Sequence, residues 1–230
     1  VAVTFVNNDY GKGLSDSFIG AYKGLGGKVS AVVPHDTDKA DYSAEVASLN
    51  ASGAKILAVL GYIDQGGRQM IQTSIDSGAF DKFILADGMY GESLLKNVDG
   101  DLTGTFGTVP GTDSKGAERF KGMAKSAGIK TGGPYTGESY DAGALLVLAM
   151  QSGGSTDRAA LASNVFAVAN APGEKIMPGE LGKALRILAS GGAVDYVGAT
   201  NVELIGGGEA SGSYQEFEVS GKSYSTVRYR

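Results

Sequence analysis

Cysteine is absent from the 230 residues, which excludes disulfides, thiolate nucleophiles and zinc-thiolate sites together. The redox state of the compartment stays open, since a chain without cysteine is indifferent to it. Histidine occurs once, at His35; a Ser-His-Asp triad would have to use it, and a His-rich metal cage is out of reach. No apolar run approaches the roughly 20 residues that span a bilayer, and the longest, 142–150, reads as a core helix. Lys and Arg are scattered, with a formal net charge of −5, so the electrostatic footprint of a nucleic-acid binder is missing. An initiator Met and a signal peptide are also lacking, and Val1 stands inside what reads as a buried strand, so the chain is expected to be a piece of something longer.

The familiar enzyme motifs fail in the same way. Gly11-Lys12-Gly13 has Asp16 where a dinucleotide fingerprint needs its third glycine, and an acid there repels phosphate. Ser220-Gly221-Lys222-Ser223 has Glu216 where a phosphate loop needs its first glycine. No Gly-x-Ser-x-Gly elbow occurs. Asp36 and Asp38, in an Asp-Thr-Asp stretch between strand and helix, read as turn chemistry, and His35, following a strand and Pro34, as a surface loop residue. No catalysis, cofactor or metal is expected.

What is present is an ordinary globular composition, 42% apolar and 20% charged. Residues 1–110 hold 13 acidic against 8 basic side chains, and the remainder 12 of each. That imbalance suits a solvated surface or a cationic or zwitterionic ligand.

Residues 1–6 are a continuous apolar run, as in a strand covered on both faces, and a loop over 7–13 follows. Leu14, Phe18, Tyr22 and Leu25 then recur at helical spacing before Gly26 and Gly27, which suit a left-handed cap. The unit repeats: strand 29–33, a helix opened by Asp41 and closed by Gly53, strand 56–60, a helix carrying Met70, Ile71 and Ile75, and strand 83–86. Such alternation predicts a parallel sheet with right-handed crossovers and helices on both faces. Functional loops should leave the carboxyl ends of its strands, at 7–13, 61–65 and 87–91.

Beyond Pro110 apolar stripes at helical spacing dominate, around Phe120, Leu145, Val165 and Leu185. Little sheet is available to receive them, so they form a small helical domain or lean on a sheet in sequence not present. Strands return at 202–205, 214–219 and Ser223–Tyr229.

Four stretches, in this order and spacing, resemble the type I periplasmic solute-binding proteins of ABC importers, in the branched-chain amino-acid (Leu/Ile/Val) family. They are the opening strand with Asp9-Tyr10-Gly11 after it; Asp41-Tyr42-Ser43; Gly61-Tyr62 together with Ala86-Asp87-Gly88; and Asp195-Tyr196-Val197-Gly198-Ala199-Thr200. The resemblance runs the length of the chain and omits the family's first segment. It implies an α/β fold of two lobes, parallel sheets flanked by helices. Residues 1–109 would form most of the second lobe, 110–210 the mostly helical returning part of the first lobe, and 211–230 the crossing back. It also implies the function: periplasmic capture of an amino acid or related small zwitterion by hinge closure, for delivery to the membrane permease of an ABC importer, by a monomer when complete. A sensing domain of the same fold, or an α/β enzyme without a recognisable motif, stays open.

A free amino acid carries an ammonium and a carboxylate, and burying either unpartnered costs several kcal/mol. The resemblance places the acid for the ammonium at Asp87, where the family often has the longer Glu; a different ligand depth or a bridging water follows from the shorter side chain. Tyr10 and Tyr62 match aromatic positions lining the family's cleft, while Tyr90 and Met89 are expected to set its shape at the edge. Asp9 and Asp64 are expected to accept loop hydrogen bonds. Read without the family, Asp87-Gly88 suits a simple turn better than a ligand contact, and the two tyrosines suit plain packing as well as a cleft.

Overall fold

A computed structural model describes residues 1–131 and 133–230. In chain order its elements begin β1 (Ala2–Val6), α1 (Asp9–Gly24), β2 (Ala31–His35), α2 (Ser43–Asn50), β3 (Leu57–Leu60), α3 (Arg68–Asp76), β4 (Phe83–Leu85), α4 (Glu92–Asn97) and β5 (Phe106–Pro110). They continue with α5 (Lys115–Ser126), α6 (Thr136–Gly153), α7 (Arg158–Ala169), β6 (Glu174–Ile176), α8 (Leu181–Ala189), β7 (Val194–Tyr196), β8 (Tyr214–Ser220) and β9 (Ser223–Tyr229). Two units result: Val1–Val109 with Gln215–Arg228, and Pro110–Tyr214 with Tyr229–Arg230.

The first unit is built on a seven-stranded sheet in the order β2-β1-β3-β4-β5-β8-β9. The pairs β1–β2, β1–β3, β3–β4 and β4–β5 are parallel. The sheet turns antiparallel at β8, where Val219 N donates to Thr105 O at 2.7 Å and Gly104 N to Val219 O at 2.9 Å. Successive side chains alternate between faces. Leu57, Val59, Phe83 and Leu85 enter one cluster with Val46 and Leu49 of α2 and Met70 and Ile71 of α3. Ala58, Leu60 and Ala86 enter another with Leu14 and Phe18 of α1. Each fully buried Leu or Phe contributes roughly 1.5–3 kcal/mol, which is why a strand with both faces covered reads as an unbroken apolar run. Pro34 is accommodated because β2 lies at the sheet edge, where a missing N–H breaks no ladder.

Several expectations are corrected. The loop 7–13 is only two residues long: Asn8 accepts a hydrogen bond from Gly11 N at 2.9 Å and so caps a helix beginning at Asp9. β5 was masked by Gly107, where a methyl group would strike Leu85 O. Residues 202–205 form no strand; their contribution is a single bridge, Leu204 to Ala210. Asn170 takes over instead, accepting from Leu204 N at 2.9 Å and donating to Leu204 O at 2.7 Å.

His35 is no surface residue. It closes β2 with its side chain wholly buried, and Thr4 Oγ1 lies 2.8 Å from its Nδ1. Burial outweighs the nearby Glu45 and Asp36 carboxylates and lowers its pKa from 6.5 to about 4.

In the second unit α6, α7 and α8 bury Leu145, Leu148, Val168 and Ala184 against Ile176, Val194 and Tyr196 of the parallel pair β6–β7. Those two strands, three residues each, were not anticipated. Asp141 of α6 is buried and ties down the segment after β7. It accepts from Tyr196 Oη at 2.9 Å, Ala199 N at 2.8 Å, Thr200 N at 2.8 Å and Thr200 Oγ1 at 2.7 Å. Burial and this carboxylate push the Tyr196 phenol well above its usual range.

Replacing Asp141 with Ala strands four donors at once, two of them buried, so a loss of about 3 kcal/mol is expected in urea unfolding, against about 1 kcal/mol for Tyr196→Phe. His35 gives a pH signature. The unfolded chain takes up its proton near pH 6.5 and the folded chain resists until about 4, so this contribution is complete above 6.5 and is lost as pH falls toward 4. The loss amounts to about 3 kcal/mol. His35→Phe should flatten that part of the urea-midpoint profile; an unchanged profile would assign the loss to carboxylates.

Candidate functional site

The carboxyl ends of β1, β3 and β4 lie side by side, and each is followed by a short connection. After β1 the cap at Asn8 sets Tyr10 in the first turn of α1. Gly11 is required there, because a methyl group would collide with Val6 O. After β3 comes an irregular helical turn, Ile63–Gly67, that follows Tyr62; Gly66 within it has φ +89°. After β4 a single 3-10 turn, Asp87–Met89, is closed by hydrogen bonds from Met89 N to Ala86 O at 3.0 Å and Tyr90 N to Asp87 O at 2.9 Å.

Three of the expected residues meet there. The Tyr10 hydroxyl donates to Asp87 Oδ1 at 2.7 Å, a bond joining residues 77 positions apart. Its ring stacks on Tyr62, centroids 4.8 Å apart and planes 25° from parallel. Gly88 permits the approach: a methyl group on it would strike Gly61 O and lie 2.8 Å from Cδ1 of the Tyr62 ring. Tyr10, Tyr62 and Asp87 are each half-buried, so the cluster is ordered and still reaches the surface. Chemically it is an anionic oxygen held by a phenol beside two aromatic faces, a combination that receives a cation with an apolar body.

The other two expected residues stand apart. Met89 is fully buried in the first unit's main core cluster, and a methyl group on Gly67 would collide with its sulfur. Tyr90 packs on Tyr224, centroids 4.3 Å apart, and on Phe217 at 4.9 Å. Tyr224 in turn exchanges hydrogen bonds with Gly91 N at 3.2 Å and Gly91 O at 3.0 Å, and burial raises its pKa to about 12. Tyr90 therefore helps fix the turn after Asp87. Asp9 and Asp64 are exposed. Asn8, Gly11 and Gly88 shape this cluster without having been expected to: Gly11 and Gly88 adjoin Tyr10 and Asp87, and Asn8 stands two residues before Tyr10.

Among the described residues no group of three or more His, Asp or Glu could hold a metal ion, and no helix is long and apolar enough to cross a membrane. A depression in the second unit, lined by Val147, Met150 and Leu185 with Gln151, Ser155 and Thr156, contains no charged side chain and offers an ammonium no counter-charge.

Residues 1–180 match the family described as periplasmic binding protein. The chain is 29% identical over 161 residues to a Leu/Ile/Val-binding protein homolog of Brucella abortus, covering 68% of this chain and 42% of that protein. It thus spans less than half the length of this curated relative. A leucine-binding protein of Thermotoga maritima superposes with a TM-score of 0.76 at 20% identity, over 99% of this chain and 59% of the other. A solute-binding protein of R. palustris, solved with 4-hydroxybenzoate, gives 0.70 at 17% identity, over 100% and 59%. With sheet, loops and family match in agreement, the chain belongs to the type I periplasmic binding proteins.

Proposed function

We propose that the Tyr10, Tyr62 and Asp87 cluster receives the ammonium end of an amino acid or related small zwitterion. The whole protein, of which this chain supplies part, would close on that ligand about a hinge and deliver it to the permease of an ABC importer from the periplasm. The hydrogen bond from Tyr10 to Asp87 carries this reading. It fixes an anionic oxygen beside aromatic faces at the carboxyl ends of parallel strands, where ligands of open α/β sheets bind. The Leu/Ile/Val and leucine names of relatives point the same way.

An aromatic acid is the second reading, favoured by the stacked tyrosines and by the 4-hydroxybenzoate neighbour. Against it, Asp87 would meet a carboxylate with like charge unless that group were bound elsewhere.

Titration calorimetry of the full-length protein against branched-chain, polar and acidic amino acids, benzoate and 4-hydroxybenzoate separates the two. Amino-acid binding is expected, and Asp87→Ala should weaken it about 100-fold, or about 3 kcal/mol. Tyr10→Phe keeps the stack and removes the phenol donor; about 5–10-fold weaker binding is expected, the worth of one hydrogen bond. Binding of the aromatic acids alone, or an Asp87→Ala variant with unchanged affinity, sinks the assignment.

A further inference from the structure

The buried imidazole of His35 lies beneath the connection that carries Tyr62. A methyl group on Gly61 would sit 3.2 Å from His35 Nε2 and 3.4 Å from Cε1, and one on Gly66 would sit 3.0 Å from Cδ2, 2.7 Å from Tyr42 Oη and 2.9 Å from Asp36 O. Backbone at both ends of the 61–67 connection therefore rests directly on the ring and its surroundings. Thr4 occupies Nδ1, while Nε2 is buried and has no hydrogen-bond partner among the described residues.

Charged and titratable groups reach the ring from limited directions. The segment after β2 contributes Asp36, whose Oδ1 accepts from Asn7 Nδ2 at 2.9 Å, and the Tyr42 ring, edge-on at a centroid distance of 6.3 Å. Helix α2 contributes Glu45, paired to Lys39 at 2.5 Å. β1 offers the Thr4 hydroxyl and no charge, and the connection itself carries the exposed Asp64.

We propose that His35 is a positioning residue for the binding cluster: its neutral ring seats the 61–67 connection so that Tyr62 stacks on Tyr10, and protonation of the ring unseats it. This rests on the assignment of Tyr62 to the site. In the tautomer whose Nδ1–H donates to the Thr4 hydroxyl, a proton taken from solvent adds to Nε2, and the new Nε2–H needs an acceptor that no described residue supplies. The backbone against the ring is that of Gly61 and Gly66, which have no side chains to interlock, so it is the layer that yields, pivoting on Ile63, whose side chain is held in the core. Tyr62 moves with it, and the face offered to the ligand is lost in acid.

The test needs no ligand. In the full chain, the Cε1–H signal of His35, assigned by its loss in His35→Gln, and the backbone amides of Gly61, Tyr62 and Gly67 are followed by NMR from pH 7.5 to 3.5. Ring and amides are expected to move together, with a shared midpoint near 4. In His35→Gln, which cannot titrate, the amides should stay flat over that range. Amides that titrate equally in His35→Gln would assign the effect to Asp36 or Glu45 and overturn the proposal, as would a ring midpoint near 6.5. Should His35→Gln fail to fold, Thr4→Val serves. Without the hydroxyl acceptor the ring midpoint should drop, and the amide midpoint must drop with it; a shift of the ring alone refutes the coupling. A failed amino-acid panel leaves this outcome untouched, and amides blind to His35 end it whatever the panel shows.

Discussion

Parallel pairing of β1, β3 and β4 is the constraint from which the candidate site follows. Register places Phe5 opposite Leu60 and Val59 opposite Leu85, so the three strands finish level and their connections start from one edge. Neighbouring strands lie about 4.8 Å apart, and β1 and β4, separated by β3, about 10 Å apart. A phenol bridges that gap where a shorter side chain would not, which gives Tyr10 its reach to Asp87 across the end of β3, whose connection bears Tyr62. Glycine at 88 keeps the middle of the span free of side chain.

That arrangement was legible because two-sided burial leaves a plain trace. A strand covered on both faces is apolar at nearly every position, and residues 56–60 and 83–86 satisfy this throughout, residues 1–6 with Thr4 as the exception. The strands that escaped notice lack the trace for identifiable reasons. β5 alternates exposed with buried positions and includes a glycine and a terminal proline. β6 opens with Glu174 and Lys175, both exposed, and with β7 is too short to show any period. A strand seen at 202–205 was the opposite error, since an Asn170 side chain replaces the ladder with two hydrogen bonds of its own.

Helix boundaries and side-chain roles depended on local chemistry that periodicity does not record. The helix after β1 begins at Asp9 rather than near Leu14, because its start is decided by the Asn8 cap. Apolar spacing first becomes visible a turn later. Tyr90 and Met89 follow Asp87 in sequence, yet the 3-10 turn sends consecutive side chains in different directions: one against Tyr224 and Phe217, one into the core, and only Asp87 to Tyr10. Proximity in sequence was a poor guide there, whereas a bond across 77 residues was a good one, since strand register rather than chain distance brings side chains together.

His35 shows how a local signal can mislead and still matter. A histidine after proline and before an Asp-Thr-Asp stretch has every mark of a loop, but the strand continues through Pro34 because β2 is an edge. Continuation by one residue inverts the outcome: alternation exposes Pro34 and sends the imidazole inward beside Thr4. An apolar residue would fill the same space without leaving a ring nitrogen unpaired. The imidazole therefore costs stability as the pH falls, and its one structural distinction is its position under Gly61 and Gly66 of the Tyr62 connection. A buried polar group whose packing role any apolar residue could fill leaves its titration as the property to be explained, and this one lies against the backbone that aims a candidate ligand contact.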